Sequence, residues 1–300
     1  MSETKPSVVF FGSGPVAADS LRLLEEDFVI EAIVTKPTTA NEMAVTSRKV
    51  PLYTVKNKKE LEQLLAKRKF TSQIGILIDF GIIVSQQIIN YFPFGIINSH
   101  FSLLPQWRGA DPITFSILSG QQKTGVSLML IDAGMDTGKL LSQKTLHITP
   151  TTDTHELTRQ LIRLSKELLT ENIPQYLSGV LKPRNQPHPD RATYSRKLTK
   201  EDGILDFNKP AVQLEREIRA FIQWPKSRTS LAGKDVVVLN ATVDTKASGP
   251  IGNAYKTDSK KIGIYTIEGA LIIEAIKPAG KNAMSTESFL AGYGEKIIKS

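Results

Sequence analysis

Continuous apolar runs, rather than alternating ones, mark the first third of the chain. SVVFFG (7–12), VIEAIVT (29–35), IGILID (74–79) and GIINSH (95–100) are short, rich in Val, Ile and Phe, and bounded by glycine or polar residues. Runs of this length predict strands buried on both faces. Between them the spacing changes to that of helices. Over Pro15 to Glu26, Ala18, Leu21 and Leu24 fall on one face and Pro15 suits a first helical turn. Asn57 to Lys69 repeats the pattern with Leu61, Leu64 and Leu65, and a short helix precedes GIINSH. Strand and helix in alternation predict right-handed βαβ units and a parallel sheet. Gly125 to Leu130 and Lys139 to Ile148 add two strands, and Asp153 to Tyr176 a long amphipathic helix. Lys36 to Pro51 is polar and irregular and reads as a loop.

The pattern breaks at KPRNQPHPD (182–190), with three prolines in nine residues, which predicts an extended linker. Beyond it, Leu214 to Phe221 is helical in spacing, while DVVVLNATV and IGIYTIEGALIIEAI, with their glycines, read as short strands of a small β-rich domain. The expected division is 1–181, a linker at 182–193, and 194–300. A length of 300 residues agrees with two domains.

Composition narrows the class. No apolar run approaches the roughly 18 residues of a membrane span, and the first residues lack a basic stretch leading into an apolar one. Cysteine is absent, which excludes disulfides, thiolate metal sites and cysteine nucleophiles and fits a reducing, cytoplasmic setting. The formal net charge is +8. Residues 1–188 carry 20 Lys and Arg against 17 acids, and residues 189–300 carry 18 against 13. The excess suits a polyanionic partner or a solvated basic surface; charge alone does not choose.

Three stretches are candidates for chemistry. Gly12-Ser13-Gly14-Pro15-Val16-Ala17 follows a strand and opens a helix, as a dinucleotide fingerprint does. That fingerprint also wants an acid at the end of the second strand, which here ends Val34-Thr35-Lys36; Glu31 lies about four residues, or ~13 Å, away. A packing turn is the better reading. The second stretch is Asn98-Ser99-His100. Residues two apart on a strand share a face, and the carboxyl end of a parallel strand opens onto the ligand crevice, so an amide and an imidazole can converge there. The alternative is a loop-capping asparagine and a histidine satisfied by backbone. The third, DAGMDTGKLL (132–141), is either a plain Asp/Gly turn or a way to bring the Asp136 carboxylate to His100. The other histidines, His147, His155 and His188, show no metal-ligand spacing, and no phosphate loop or serine nucleophile elbow is present.

Asn98-x-His100, Ser102-Leu103-Leu104-Pro105, Trp107-Arg108-Gly109 and Asp132-x-Gly134-Met135-Asp136-Thr137-Gly138, in that order, resemble the folate-dependent formyltransferases. TYSRKLTKEDGILDF (193–207), LEREIRAFIQWPKSRT (214–229) and KPAGKNAM (277–284) are similar to the branch that acts on methionyl-tRNA. The chain departs from that pattern in three places. Lys36 to Pro51 is short and lacks the usual glycine- and basic-rich run; Asp79-Phe80-Gly81 stands where Ala-Tyr-Gly is common; Asp111 replaces a small residue.

The resemblance implies a Rossmann-like, mostly parallel α/β sheet with flanking helices and a smaller C-terminal β-barrel of OB-like type. It implies formyl transfer from 10-formyltetrahydrofolate to the α-amino group of methionyl initiator tRNA, with Asn98, His100 and Asp136 as the catalytic trio and no metal. The relatives with other acceptors are formyltransferases for nucleotide-linked amino sugars and formyltetrahydrofolate hydrolases. A non-enzymatic reading, an RNA-binding protein on the same scaffold, has to ignore the intact trio. Folate contacts are expected at Phe80, Gly81, Ile82, Ser102, Leu103, Leu104, Pro105 and Asp132. RNA contacts are expected at Lys36, Arg48, Lys49, Arg108, Lys277 and Lys281. The chain is expected to act as a monomer, away from membranes.

Overall fold

The first apolar run forms β1 (Ser7–Gly12), completely buried beyond Ser7, in a computed structural model that describes residues 5–297. A glycine turn leads into α1 (Pro15–Leu24) and then β2 (Val29–Thr35). Lys36 to Pro51 is not the loop its polarity predicts. It holds a turn of 3₁₀ helix and α2 (Ala40–Thr46), whose one buried residue is Met43. A seven-residue helix with one apolar anchor leaves no readable period. Then come β3 (Leu52–Thr54), α3 (Lys58–Lys67), β4 (Gly75–Ile78), α4 (Gln86–Ile89) and β5 (Ile96–His100). A loop containing the two-residue β6 (Arg108–Gly109) leads to α5 (Pro112–Leu118), β7 (Lys123–Leu130), β8 (Leu140–His147) and α6 (Thr154–Leu177).

Seven strands pair in the order β3-β2-β1-β4-β5-β7-β8. The first five are parallel, and β7 and β8 continue the sheet antiparallel. One face packs Val9, Phe11, Val34, Leu61, Phe80, Phe92 and Ile96 into a core, where Phe11 meets Phe80 and Phe92 edge to face at 5.8 and 5.9 Å. Each such buried ring is worth about 1.5–3 kcal/mol over leaving it in water.

The glycine turn after β1 is a packing device. A Cβ on Gly12 would lie 2.7 Å from that of Ala17 and 2.5 Å from the Phe10 ring, so only glycine lets α1 start this close to the sheet. Glu31 has a structural task at the other edge. It accepts hydrogen bonds from the Thr71 and Ser72 amides, each at 2.7 Å, and from Ser72 Oγ at 2.5 Å. Burial pushes its carboxyl up, but those donors outweigh burial and hold it below the ordinary glutamate value.

The described contacts divide the chain into two units. The first takes residues up to Ile113 with Gln122–Ile148 and Thr158–Arg196; the second takes Thr114–Gln121, Thr149–Leu157 and Lys197 onward. The proline-rich stretch ends in a 3₁₀ turn at Pro189–Arg191, and it falls within the first unit. Leu140 and Arg184 exchange backbone hydrogen bonds at 2.8 and 2.9 Å, and β9 (Tyr194–Ser195) pairs with β6.

The second unit is built on antiparallel strands β10 (Arg228–Leu231), β11 (Lys234–Asp244), β12 (Ala254–Lys256), β13 (Ile262–Tyr265) and β14 (Ala270–Pro278), with β15 (Met284–Ser285) on β14. Register shifts near Asn240 add the twist that bends a sheet toward a barrel. Helices α7 (Ala211–Ala220) and α8 (Thr286–Ile297) contribute Leu214, Ile218, Phe289 and Leu290 to its core. Nothing in the apolar pattern announces α8, because Gly292 and Gly294 lower its helical propensity. Thr286 anchors it by donating from Oγ1 to the Ile273 carbonyl at 2.9 Å. Among the described residues no helix is long and apolar enough to cross a membrane.

Candidate active site

Strand β5 presents Asn98 and His100 on one face and turns Ser99 to the other, where its hydroxyl meets that of Ser165 in α6 at 2.6 Å. Asn98 pairs in register with Leu77 and Met129, so it stands near the middle of the sheet's width. The turn after β7 carries Asp136 back to this end of β5. Asn98 Nδ2 donates to Asp136 Oδ1 at 3.4 Å, and the Gly109 amide donates to Oδ2 at 2.7 Å. His100 Nδ1 lies 3.8 Å from Oδ2, an ion-pair distance rather than a hydrogen bond. An amide, an imidazole and a carboxylate from distant parts of the chain thus meet at one point.

The imidazole is 6% exposed, and its other nitrogen, Nε2, sits 2.9 Å from the Trp107 carbonyl. A carbonyl only accepts, so Nε2 carries a proton and Nδ1 faces Asp136. The tautomer is therefore set by a main-chain carbonyl. Trp107 and Asp136 have left-handed backbones, with φ of +55° and +53°. Such residues cost about 1–2 kcal/mol each and concentrate at functional sites. Tight packing holds the turn: a Cβ on Gly138 would lie 1.7 Å from the Leu130 carbonyl oxygen.

The expected folate contacts separate into two groups. Phe80 is 1% exposed in the aromatic core, and Leu104 packs with Met129 and Leu140. Ser102 is completely buried, with its hydroxyl on the Gln106 carbonyl, and Pro105 is buried beside it. These four side chains are engaged with the protein interior, which the composition of the motif does not record. Gly81, Ile82, Leu103 and Asp132 retain exposure. Asp132 braces its turn, accepting from the Gly134 amide at 3.0 Å and Thr137 Oγ1 at 2.7 Å. Ile83 and Met135, 80% and 62% exposed, add apolar surface beside these residues in sequence. A separate groove of about 360 Å³ opens between Ile89, Phe94, Leu130, Ile131 and Tyr176.

The expected RNA contacts also divide. Arg48, Lys49, Lys277 and Lys281 are exposed. The ammonium of Lys281 lies 5.5 Å from the centre of the Tyr293 ring, and that of Lys234 5.1 Å from it. Lys36 extends its amine over Gly81, where a Cβ would approach it to 2.5 Å. Arg108 is a correction. It is 6% exposed, and its Nη2 donates to Gln186 Oε1 at 2.7 Å; a guanidinium buried in this way does not reach a nucleic acid's phosphates. Three parts of the site escape a reading by motif: the Gly109 amide, the Trp107 carbonyl and the side chain of Gln186. Main-chain groups have no sequence signature, and Gln186 lies in a stretch whose prolines draw attention to the backbone.

Comparison with known proteins places both parts of the chain in one family. Residues 8–173 match the family described as formyl transferase, and residues 197–294 match the formyl transferase C-terminal domain. The chain is 35% identical to a methionyl-tRNA formyltransferase of Myxococcus xanthus over 97% of its length and 96% of that protein's. It is 30% identical to one of Roseiflexus castenholzii over 97% and 98%. Among solved structures, an N-formyltransferase from Helicobacter canadensis, in complex with folinic acid and dTDP-3-aminofucose, superposes with a TM-score of 0.66 at 18% identity, covering 90% of this chain and 99% of that one. HypX from Aquifex aeolicus superposes with a TM-score of 0.66 at 15% identity over 97% of this chain, which spans about half (48%) of HypX. These structures share the fold.

Proposed function

The chain belongs to the formyl transferase family, and from that premise we propose that it formylates the α-amino group of methionyl initiator tRNA, taking the formyl group from 10-formyltetrahydrofolate. The convergence of Asn98, His100 and Asp136 on one point carries the chemistry. The full-length likeness to methionyl-tRNA formyltransferases in both parts of the chain favours this acceptor.

The amine attacks as the neutral base. Its nitrogen bonds to the formyl carbon, and the carbonyl electrons move onto oxygen. Asn98 has a second N–H to offer this oxyanion while the first is held by Asp136. His100 keeps Nε2–H on the Trp107 carbonyl, which turns Nδ1 toward Asp136 and the reacting centre. Preorganised donors aimed at a developing charge are the largest common source of acceleration. Asp136 faces the ring with negative charge and keeps it turned toward the reacting carbon. The intermediate collapses by breaking the bond from carbon to N10 of the folate. N10 takes up a proton, the attacking nitrogen loses one, and the products are formylmethionyl-tRNA and tetrahydrofolate.

Gly81, Ile82, Leu103 and Asp132 are the folate contacts we retain, since they combine exposure with the apolar and hydrogen-bonding surface a pterin needs. Arg48, Lys49, Lys277 and Lys281, with Lys36 nearer the folate turn, are the proposed contacts to tRNA phosphates.

The test supplies 10-formyltetrahydrofolate with methionyl initiator tRNA or methionyl elongator tRNA and measures formylmethionine. Labelling of the initiator alone is expected. Formate release without a tRNA product would convert the reading to a hydrolase. Formylation of a nucleotide-linked amino sugar in preference to tRNA would convert it to a sugar enzyme.

A further inference from the structure

Asp136 holds a left-handed conformation on an exposed turn, and its carboxylate bonds to Asn98 and Gly109 do not fix its main chain. A side chain from far along the sequence does. Gln186 is buried, and its Nε2 donates to two main-chain carbonyls of the turn, Asp136 at 2.8 Å and Gly138 at 2.9 Å. Its Oε1 accepts from Arg108 Nη2 at 2.7 Å. One amide therefore ties the Asp136 turn to the loop that supplies the Trp107 carbonyl to His100 and the Gly109 amide to Asp136.

The amide is itself held at both ends of its segment. Two residues before it, Arg184 exchanges two backbone hydrogen bonds with Leu140. Beyond it, the Thr193 carbonyl accepts from the Arg108 amide at 2.9 Å, Thr193 Oγ1 accepts from the Trp107 amide at 2.9 Å, and Ser195 Oγ accepts from the Asp111 amide at 3.0 Å. A chain anchored on both sides does not drift. The Gln186 amide uses both N–H groups and its oxygen, so it has one orientation that satisfies them.

We propose that Gln186 is a positioning residue for formyl transfer: through its bonds to the Asp136 turn it sets the Asp136 carboxylate in register with His100. The proposal rests on Asp136 acting in catalysis as described above. Gln186 touches no substrate and works through the carboxylate and the imidazole.

Two variants separate positioning from packing. Gln186→Met keeps the volume and loses all three hydrogen bonds. Gln186→Glu keeps an acceptor for Arg108 but sets a carboxylate oxygen against two carbonyls. Both are expected to lower kcat by about 10- to 100-fold, the scale of a ~1 Å misplacement. KM for 10-formyltetrahydrofolate and for methionyl-tRNA is expected to change little. The cycle with Asp136→Asn decides the route. In that background Gln186→Met should add no more than about twofold, because the group it positions is already gone. Full additivity, an unchanged kcat in the correctly folded Gln186→Glu protein, or a loss confined to KM each overturns the proposal. Asp136→Asn at wild-type turnover would overturn the catalytic reading itself, an outcome distinct from these. Thermal midpoints of the four proteins identify a variant that lowers rate only by unfolding.

Discussion

The two units of this chain place their polar groups differently. In the first, the carboxyl end of β5 collects an amide, an imidazole and a carboxylate, held by a carbonyl and a glycine amide from the Trp107–Gly109 loop and by a glutamine from a second segment. In the second, the core is apolar, from Leu205 through Ile276 to Phe289, and the basic side chains Lys277 and Lys281 stand outside it. Chemistry requires atoms fixed to within a fraction of an ångström, so the first unit spends strained backbone and many long-range hydrogen bonds on a few residues. The recognition of phosphates proposed for the second unit requires charge only at roughly the right place, which exposed side chains of a simple sheet can supply.

The largest effect should come from breaking the first arrangement at its centre. Asn98→Ala is expected to lower kcat by about 10²–10³-fold, the usual result of removing one oxyanion donor. Steady-state kinetics with unaltered KM for tRNA would locate that loss in the first unit, and unchanged turnover would remove Asn98 from the mechanism. Next, Gly12→Ala should destabilise by about 1–3 kcal/mol, as overpacking does, read as a lower thermal midpoint. A lost turnover with no loss of stability would instead mean that the glycine turn touches a ligand.

Lys277→Ala with Lys281→Ala probes the other side of the comparison. KM for methionyl-tRNA should rise and its salt dependence flatten by about one unit of slope for each lysine, with KM for the folate unchanged. Equal changes in both constants would show that these lysines support the fold rather than the nucleic acid. The smallest effect belongs to Glu31, whose donors hold its carboxyl below the ordinary value of 4.5. Its folded value is depressed, so the stabilisation is complete above about pH 4.5 and is lost as pH falls through the folded value. The difference in urea midpoint between the wild type and Glu31→Gln should thus be full at pH 7 and shrink in acid. A difference independent of pH would assign it to something other than the charge.

Much of the fold was legible because the strands of a parallel sheet are apolar on both faces. Residues 7–12 and 29–35 form strands with the bounds their runs predict, and at the glycine turn the close approach of a Gly12 Cβ to Ala17 and Phe10 fits the packing reading that the missing acid at the end of β2 favoured. The elements that escaped, α2, β3, α5 and α8 among them, are short or carry glycines, so their stability comes from neighbours rather than from their own pattern.

By itself the sequence determined the alternation of strand and helix, the shift to a β-rich second half, and the residue types available for chemistry, since each follows from local spacing and composition. Only the tertiary structure decided which of those residues share a site. It buried Phe80, Ser102, Leu104 and Arg108, gave the His100 tautomer to a carbonyl, and laid Gln186 across the Asp136 turn. The reason is distance along the chain. Exposure, backbone conformation and the choice of hydrogen-bond partner depend on segments far apart in sequence, and local spacing does not record where they meet.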